Sequence, residues 1–300
     1  MSPFDVAVIG GSYAGMTAAL QLARGRRKVL VVDAGQRRNR FAAHAYGILG
    51  QDGRPPAEIA ADGRAQLLRY PNVTCVEATV ESIEKTADDF QLQTQQGEVY
   101  HASRVILATG VSDELPNIPG LRERWGRAVF HCPYCHGYEL DEAPLGVLAV
   151  GEISMHQALI LPDWGPTTFF INGAFEPSAD QLRQLVQRNV TVERTPVEKI
   201  TGGRAAVNLQ DGRIIELSGL FVATQLRHPR PLADQLGCAF EETPMGAVIQ
   251  TDAMQATSIA GVFACGDSAR AAGNVTFAMA DGAMAGVAAH RSLMFEGLNI

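Results

Sequence analysis

No concentrated block of Lys and Arg occurs in these 300 residues; the densest basic stretch is Arg24 to Lys28, and the formal net charge is −7. Proteins that hold nucleic acid need a clustered basic footprint, so no nucleic-acid partner is expected. No run of about 18 apolar residues is present either, and no membrane span is expected. The opening MSPFDVAVIG has no basic segment ahead of its apolar residues and does not read as a signal peptide. The expected location is therefore cytoplasmic, where thiols stay reduced unless redox cycling is their function. Cysteine is scarce, with five in the chain. Cys75, Cys238 and Cys265 stand alone in apolar runs and read as small buried hydrophobes. Only Cys132 and Cys135 are paired in sequence.

The length exceeds one ordinary core and implies two domains. Asp5 to Ile9 reads as a strand, Gly10 to Gly15 as a turn, Thr17 to Ala23 as a helix and Lys28 to Val32 as a second strand, which makes a βαβ start. Residues 36–56 form an irregular excursion. A helix (Ala57 to Tyr70) and strands at Val73 to Val80, Phe90 to Thr94, Glu98 to His101 and Arg104 to Leu107 follow. Leu115 to Gly120 carries two prolines and a glycine and reads as a linker. A second βαβ pattern starts at Leu145 to Val150, with a helix over Ser154 to Trp164 and a strand at Thr167 to Ile171. Strands are expected at Val190 to Arg194, Ala205 to Gln210, Ile214 to Leu217, Leu220 to Ala223 and Gly261 to Ala264, and a long small-residue helix at Thr276 to Leu293. The expected fold is α/β with two Rossmann-like, doubly wound domains of FAD/NAD(P)-binding type. The second is inserted into the first, giving segments 1–114, 115–242 and 243–300.

The turn Gly10-Gly11-Ser12-Tyr13-Ala14-Gly15 follows a strand and opens a helix. Gly10 makes the tight turn, Gly15 lets the helix pack on the strand, and the helix N-terminus faces a pyrophosphate. Asp33, ending the next strand, can accept hydrogen bonds from ribose hydroxyls. Ser12 replaces the usual middle glycine. Two further elements occur in order: Ala108-Thr109-Gly110 at the end of a buried strand, and Gly266-Asp267 after Gly261 to Cys265. Together they resemble the two-dinucleotide-domain flavoproteins. That resemblance implies FAD, with Asp267 on its ribityl chain. By position it also places Ala34, Arg40, His44, Val80, Asn274 and Val275 at the cofactor.

His131-Cys132-Pro133-Tyr134-Cys135-His136-Gly137-Tyr138-Glu139 carries the chemistry. Two cysteines at this spacing can close a small disulfide loop, and the flanking histidines favour thiolate, the reactive species. The same string fits a c-type haem attachment, which requires export. It fits a zinc site poorly, since structural zinc draws its ligands from separated segments. A glutaredoxin would place the pair near the start of a small domain. The remaining reading is a redox pair on a flavoprotein's second domain.

Nearly the whole chain resembles the low-molecular-weight thioredoxin reductase family, through the N-terminal turn, the A-T-G before the linker, the C-x-x-C and the late G-D. The resemblance implies that Cys135 faces the flavin, that Cys132 exchanges with substrate, and that the protein is a homodimer. The family's proton-donating Asp after the second cysteine is here His136, a candidate acid/base because its unperturbed pKa lies near neutrality. The string H-C-P-Y-C-H-G-Y-E resembles the branch that contains the dithiol oxidases of disulfide-bearing natural products.

The second domain lacks a nicotinamide fingerprint. Its loop reads Ala149-Val150-Gly151-Glu152-Ile153-Ser154, which puts a carboxylate where a pyrophosphate would sit. Arg and Lys are absent from Gly146 through Gln181, and a 2′-phosphate needs such cations. Asn172 to Glu176 stands where the family has basic residues. The family's R-Q-A aligns with Gly273-Asn274-Val275. The expected function is an FAD-dependent thiol–disulfide oxidoreductase in which NADPH is doubtful. Its partners are a small dithiol or a thioredoxin-like protein, with oxygen or another electron carrier at the other end. The alternatives are an NADPH-dependent thioredoxin reductase and a non-enzymatic FAD-binding redox sensor. The excursion residues Arg37, Arg38, Arg40, His44 and Tyr46 either shape the site or solvate a loop.

Overall fold

A computed structural model describes residues 4–227 and 231–296. The chain begins β1 (Phe4–Ile9), α1 (Tyr13–Arg24), β2 (Val29–Asp33), α2 (Pro56–Leu67), β3 (Val73–Glu77), β4 (Val80–Lys85), β5 (Phe90–Thr94), β6 (Val99–Leu107) and β7 (Ser112–Glu114). It continues with β8 (Val129–Phe130), α3 (Pro133–His136), β9 (Leu145–Leu148), α4 (Ser154–Ile160), β10 (Thr167–Phe170), α5 (Ala179–Gln187), β11 (Thr191–Glu193), β12 (Val197–Thr201), β13 (Ala205–Leu209), β14 (Ile214–Leu217) and β15 (Gly219–Val222). It closes with β16 (Gln225–Arg227), α6 (Pro231–Leu236), β17 (Phe240–Thr243), β18 (Gly246–Ile249), β19 (Val262–Ala264) and α7 (Val275–Met294).

Two compact units result: residues 1–38, 57–112 and 226–300 form the first, and residues 39–56 and 113–225 the second. These bounds differ from the expected segments in two places. Residues 226–242 belong to the first unit, because Leu232, Ala233, Leu236 and Cys238 are buried in one core with Ile83, Leu92 and Leu107. The excursion from Asn39 to Pro56 belongs to the second unit. There Gly126 passes so close to Phe41 that a Cβ would lie 2.8 Å from its backbone carbon.

The first unit holds a seven-stranded sheet in the order β3-β2-β1-β6-β5-β4, with β19 also on β6. The β1–β2, β2–β3, β1–β6 and β6–β19 pairs are parallel, and β4–β5 and β5–β6 are antiparallel. Val6, Ala7, Val8, Val29 and Leu30 are fully buried, as central parallel strands covered on both faces should be. The expected strands at Glu98 to His101 and Arg104 to Leu107 are one strand, β6. Its first half pairs with β5 (Gln93↔Val99, Phe90↔Ala102) and its second half with β19 (Val105↔Val262, Leu107↔Ala264) along the same edge. The expected strand at Val73 to Val80 is instead two, β3 and β4, the outermost strands of the order. Six strands laid flat would hold those edges about 24 Å apart, while the Glu77-to-Val80 link reaches about 11 Å. The sheet must therefore curl until β3 and β4 meet at that corner.

Small residues set how α1 and α7 cross. A Cβ on Gly282 or Gly286 would strike the carbonyl oxygens of Ala14 and Ala18. The long small-residue helix expected from sequence is thus a close-packing device beside the glycine turn.

The second unit has a five-stranded parallel sheet, β11-β10-β9-β15-β8, and a three-stranded antiparallel sheet, β12-β13-β14. Phe169, Phe170 and Phe221 are its largest fully buried side chains. The helix expected over Ser154 to Trp164 stops at Ile160 and gives way to a 3-10 turn, Leu161–Asp163. Pro162 lacks the N–H that a continued helix needs.

Candidate active site

The glycine turn is built as the sequence implies. Gly10 has φ +101°, and a Cβ there would land on the Ala108 carbonyl oxygen. A Cβ on Gly15 would land on the Gly10 carbonyl oxygen, so α1 could not start this close to β1. Ala108 N donates to Ile9 O at 2.8 Å. The Ala108-Thr109-Gly110 element therefore runs beside the turn. Ser12 is the N-cap of α1, and its side chain makes no cap hydrogen bond. Gly11 N donates to Asp33 Oδ1 at 3.0 Å, which ties the end of β2 to the turn. Ala14 packs under Gly266, where a Cβ would lie 2.9 Å from the Ala14 methyl. Four sequence elements far apart in the chain thus meet at one end of the sheet. The side-chain-free cradle, the helix start and the carboxylate suit a dinucleotide's pyrophosphate and ribose.

Asp267 receives Arg38 Nη1 at 2.8 Å. Gly273 lies so near Asp267 that any side chain there would strike its carboxylate. This explains a glycine where the family has Arg. Asn274 is the N-cap of α7, accepting Phe277 N on Oδ1 at 2.7 Å, and Val275 is the first residue of that helix. Ala34 is exposed just beyond β2, and Val80 is a buried residue of β4. Arg40 and His44, expected at the cofactor, group with the second unit. There Arg40 sits 4.3 Å over the Phe41 ring, and His44 Nδ1 lies 2.9 Å from Gly53 O.

In the second unit Cys132 caps the one-turn helix α3, with Pro133 at its first position. The turn carries Cys135 back over Cys132: Cys135 Sγ donates to Cys132 Sγ at 2.7 Å. Cys135 N bonds Cys132 O at 3.2 Å and Gly137 N bonds Pro133 O at 2.7 Å, which closes the turn. Gly137 admits no side chain, because a Cβ would lie 2.6 Å from the Trp164 ring. Tyr134 stands edge-on to Trp164 at 5.1 Å. The arrangement places two sulfurs where one small motion forms a disulfide.

His136 stacks on Phe130 at 4.5 Å between centroids, and Tyr46 meets it edge-on at 6.4 Å. Burial among these rings pushes its pKa down to about 4. The expectation of a near-neutral acid/base rested on a solvated ring. Half-buried against these rings, it is neutral at pH 7, with fewer than about one ring in a hundred protonated. The unfolded ring binds its proton near pH 6.5 and the folded ring only near 4. The folded state is therefore favoured above the unfolded value, and that stability is lost as pH falls from 6.5 towards 4. At pH 5 the loss is about 2 kcal/mol. Thermal melts at pH 7 and 5 should show this drop, and His136→Phe should reduce it. Tyr46 belongs to the excursion named from sequence, but its contact with His136 had no sequence signal.

The loop after β9 is occupied by its own side chains. Val150 N donates to Ser154 Oγ at 3.0 Å, and Glu152 Oε1 receives Gln181 Nε2 at 2.8 Å. The other end of the Gln181 amide completes a capping box with Ser178 on α5. Glu176 engages Arg194 through both oxygens at 2.7 and 2.8 Å.

The profile of the family described as "Pyridine nucleotide-disulphide oxidoreductase" matches residues 4–282. The chain belongs to this family. It is a thioredoxin reductase-like flavoprotein and a flavin-dependent oxidoreductase with the family's two Rossmann-like domains. "Thioredoxin reductase tcpT" of Claviceps purpurea is 34% identical, the match covering 97% of this chain and 95% of that protein. "Thioredoxin reductase sirT" of Leptosphaeria maculans is 32% identical over 95% of this chain and 93% of its own length. The crystal structure of an oxidoreductase from Agrobacterium tumefaciens superposes with a TM-score of 0.95 at 56% identity, covering 98% of this chain and 99% of that one. Among the described residues of this family member, no helix is long and apolar enough to cross a membrane.

Proposed function

We propose that this flavoprotein is a dithiol oxidase: it binds FAD, draws electrons from a substrate dithiol through Cys132 and Cys135, and works without NADPH. The observation that carries the redox half is the 2.7 Å approach of the two sulfurs across one helical turn. NADPH independence is supported by Glu152, held by Gln181 in the loop where a pyrophosphate would need backbone N–H groups and no carboxylate. It is supported again by Glu176, a carboxylate in the segment where the resemblance calls for basic residues, which is paired with Arg194.

Gly10, Ser12, Gly15, Asp33 and Asp267 are the residues that would hold FAD, and bound there it would supply a two-electron acceptor able to react with oxygen. A substrate thiolate attacks Cys132 of the Cys132–Cys135 disulfide. The S–S bond breaks and Cys135 leaves as thiolate. The second substrate thiol loses its proton and attacks the substrate sulfur of the mixed disulfide, displacing Cys132. The substrate leaves as a disulfide, and the electron pair stays on the two cysteines. Cys135 then passes it on as the internal disulfide re-forms. Near neutral pH a pKa of about 4 lets His136 position the loop but not store a proton.

A second reading is an NADPH-dependent reductase of a thioredoxin-like protein, which the names of the curated relatives favour. The two separate in air with dithiothreitol and no nicotinamide. Oxygen uptake at catalytic turnover supports the oxidase. Uptake that appears only on adding NADPH overturns it.

A further inference from the structure

The densest basic stretch of an otherwise acidic chain, Arg24 to Lys28, lies where α1 ends. Arg26 N bonds Ala23 O and Arg27 N bonds Leu22 O, both at 3.0 Å, which closes the helix with a left-handed stop. Arg26 occupies the left-handed position itself, with φ +59°. Glycine is the usual residue there; here the turn carries a guanidinium. Arg24 Nη1 donates to the half-buried Tyr70 hydroxyl at 3.2 Å. That oxygen accepts, so its own proton is left to donate. Arg24, Arg26, Tyr70, Pro71 and Asn72 line an open cleft of about 420 Å³. Asn72 fixes one wall: its Nδ2 donates to Ala23 O at 3.0 Å and to Arg27 O at 2.7 Å, tying the start of β3 to the end of α1.

Charge is unbalanced around this cleft. Among the described residues, none of Arg24, Arg26, Arg27 and Lys28 forms an ion pair, and Arg27 Nε is buried without an acceptor. The carboxylate at hand, Asp5, accepts the Lys28 backbone N–H at 2.6 Å. His290, whose ring lies over Gly25, has its pKa lowered by burial and by the Arg27 charge, against an opposing pull from Asp5. The negative end of α1 accounts for one cation in its last turn, Arg24, but not for Arg26 beyond it. Guanidinium forks match the oxygens of a phosphate, and two of them match its two charges. The Tyr70 ring and Pro71 offer an apolar wall for the group that the phosphate is attached to.

We propose that Arg24, Arg26 and Tyr70 bind a small organic phosphomonoester at a site separate from the dinucleotide cradle. α1 has 12 residues, which puts the cleft about 18 Å from the glycine turn along the helix axis. The site does not depend on the dithiol reading above.

The test is calorimetry on the purified yellow protein in low-salt, phosphate-free buffer, titrated with phenyl phosphate and separately with inorganic phosphate. Phenyl phosphate should bind about fivefold more tightly than inorganic phosphate, because its ring meets Tyr70. Arg24→Gln and Arg26→Gln should each weaken phenyl phosphate about tenfold at an unchanged flavin spectrum. Tyr70→Phe keeps the ring, loses the hydroxyl and should cost about threefold. A measurement on the wild type covers any variant that folds poorly. Phenylglyoxal should label Arg24 and Arg26, and phenyl phosphate should protect both in peptide mass maps while leaving the exposed Arg122 of the second unit unprotected. Any one of three results overturns the proposal: no binding of phenyl phosphate at millimolar concentration, equal affinity for the two probes, or affinity unmoved in both arginine variants. Labelling of Arg24 and Arg26 that phenyl phosphate does not slow overturns it as well.

Discussion

Cys132→Ser is expected to lower dithiol turnover by at least about a thousandfold while the protein keeps its flavin spectrum. The serine hydroxyl cannot form the mixed disulfide, and Cys135 alone has no second sulfur with which to close the internal disulfide. The loop itself should survive: α3 is held by Pro133 O to Gly137 N at 2.7 Å and by the Gly137–Trp164 approach, neither of which uses the sulfur. Cys135→Ser should be equally inactive but for a different reason: it leaves no Cys132–Cys135 disulfide for the substrate thiolate to attack, so no mixed disulfide with added dithiol should be detected by mass spectrometry. Turnover in Cys132→Ser within tenfold of the wild type would remove Cys132 from the mechanism.

The second large effect concerns the cofactor. Gly15→Val should yield a colourless protein, with the 450 nm to 280 nm absorbance ratio near zero. A Cβ at Gly15 falls on the Gly10 carbonyl oxygen, so α1 must withdraw from β1 and carry the cradle with it. Overpacking of this kind costs about 1–3 kcal/mol before any ligand is counted. Gly15→Ala meets the same carbonyl with less bulk and should show an intermediate flavin content. Ser12→Gly should keep the turn and bind flavin normally, because the Ser12 side chain makes no cap bond that the turn depends on and the position would serve FAD through its backbone. Full flavin content in Gly15→Val would show that the glycine turn does not hold the cofactor.

Much of the first unit was legible because its signals are local. The β1–turn–α1–β2 start, the A-T-G element and the late G-D turn each carry their own glycine, and the structure gathers them at one end of the sheet. The capping box of α5, Ser178 with Gln181, was also readable in the sequence, though no helix was expected there. Other features depend on contacts between distant residues. The allegiance of residues 39–56 turns on Phe41 against Gly126 and Tyr46 against His136. No periodicity in a Gly- and Pro-rich segment announces such contacts. The return to the first unit before residue 242 depends on α6 joining a core with β4 and β5. The lowered basicity of His136 has no signal in its own sequence, because a neighbouring ring stack sets its desolvation. His131 drew notice only as a flank of the cysteine pair. Thr224, which lies beside it, comes from 93 residues further along the chain and bonds Asp113 across 111 residues.

The central claim is that electrons enter from a dithiol and not from a nicotinamide. Anaerobic mixing of the purified yellow protein with excess dithiothreitol, and separately with NADPH, tests it most directly. The expected result is bleaching of the flavin band by dithiothreitol, recovery of the colour on admitting air, and no bleaching by NADPH at the same concentration. Prompt bleaching by NADPH would contradict the account and make this family member a nicotinamide-driven reductase.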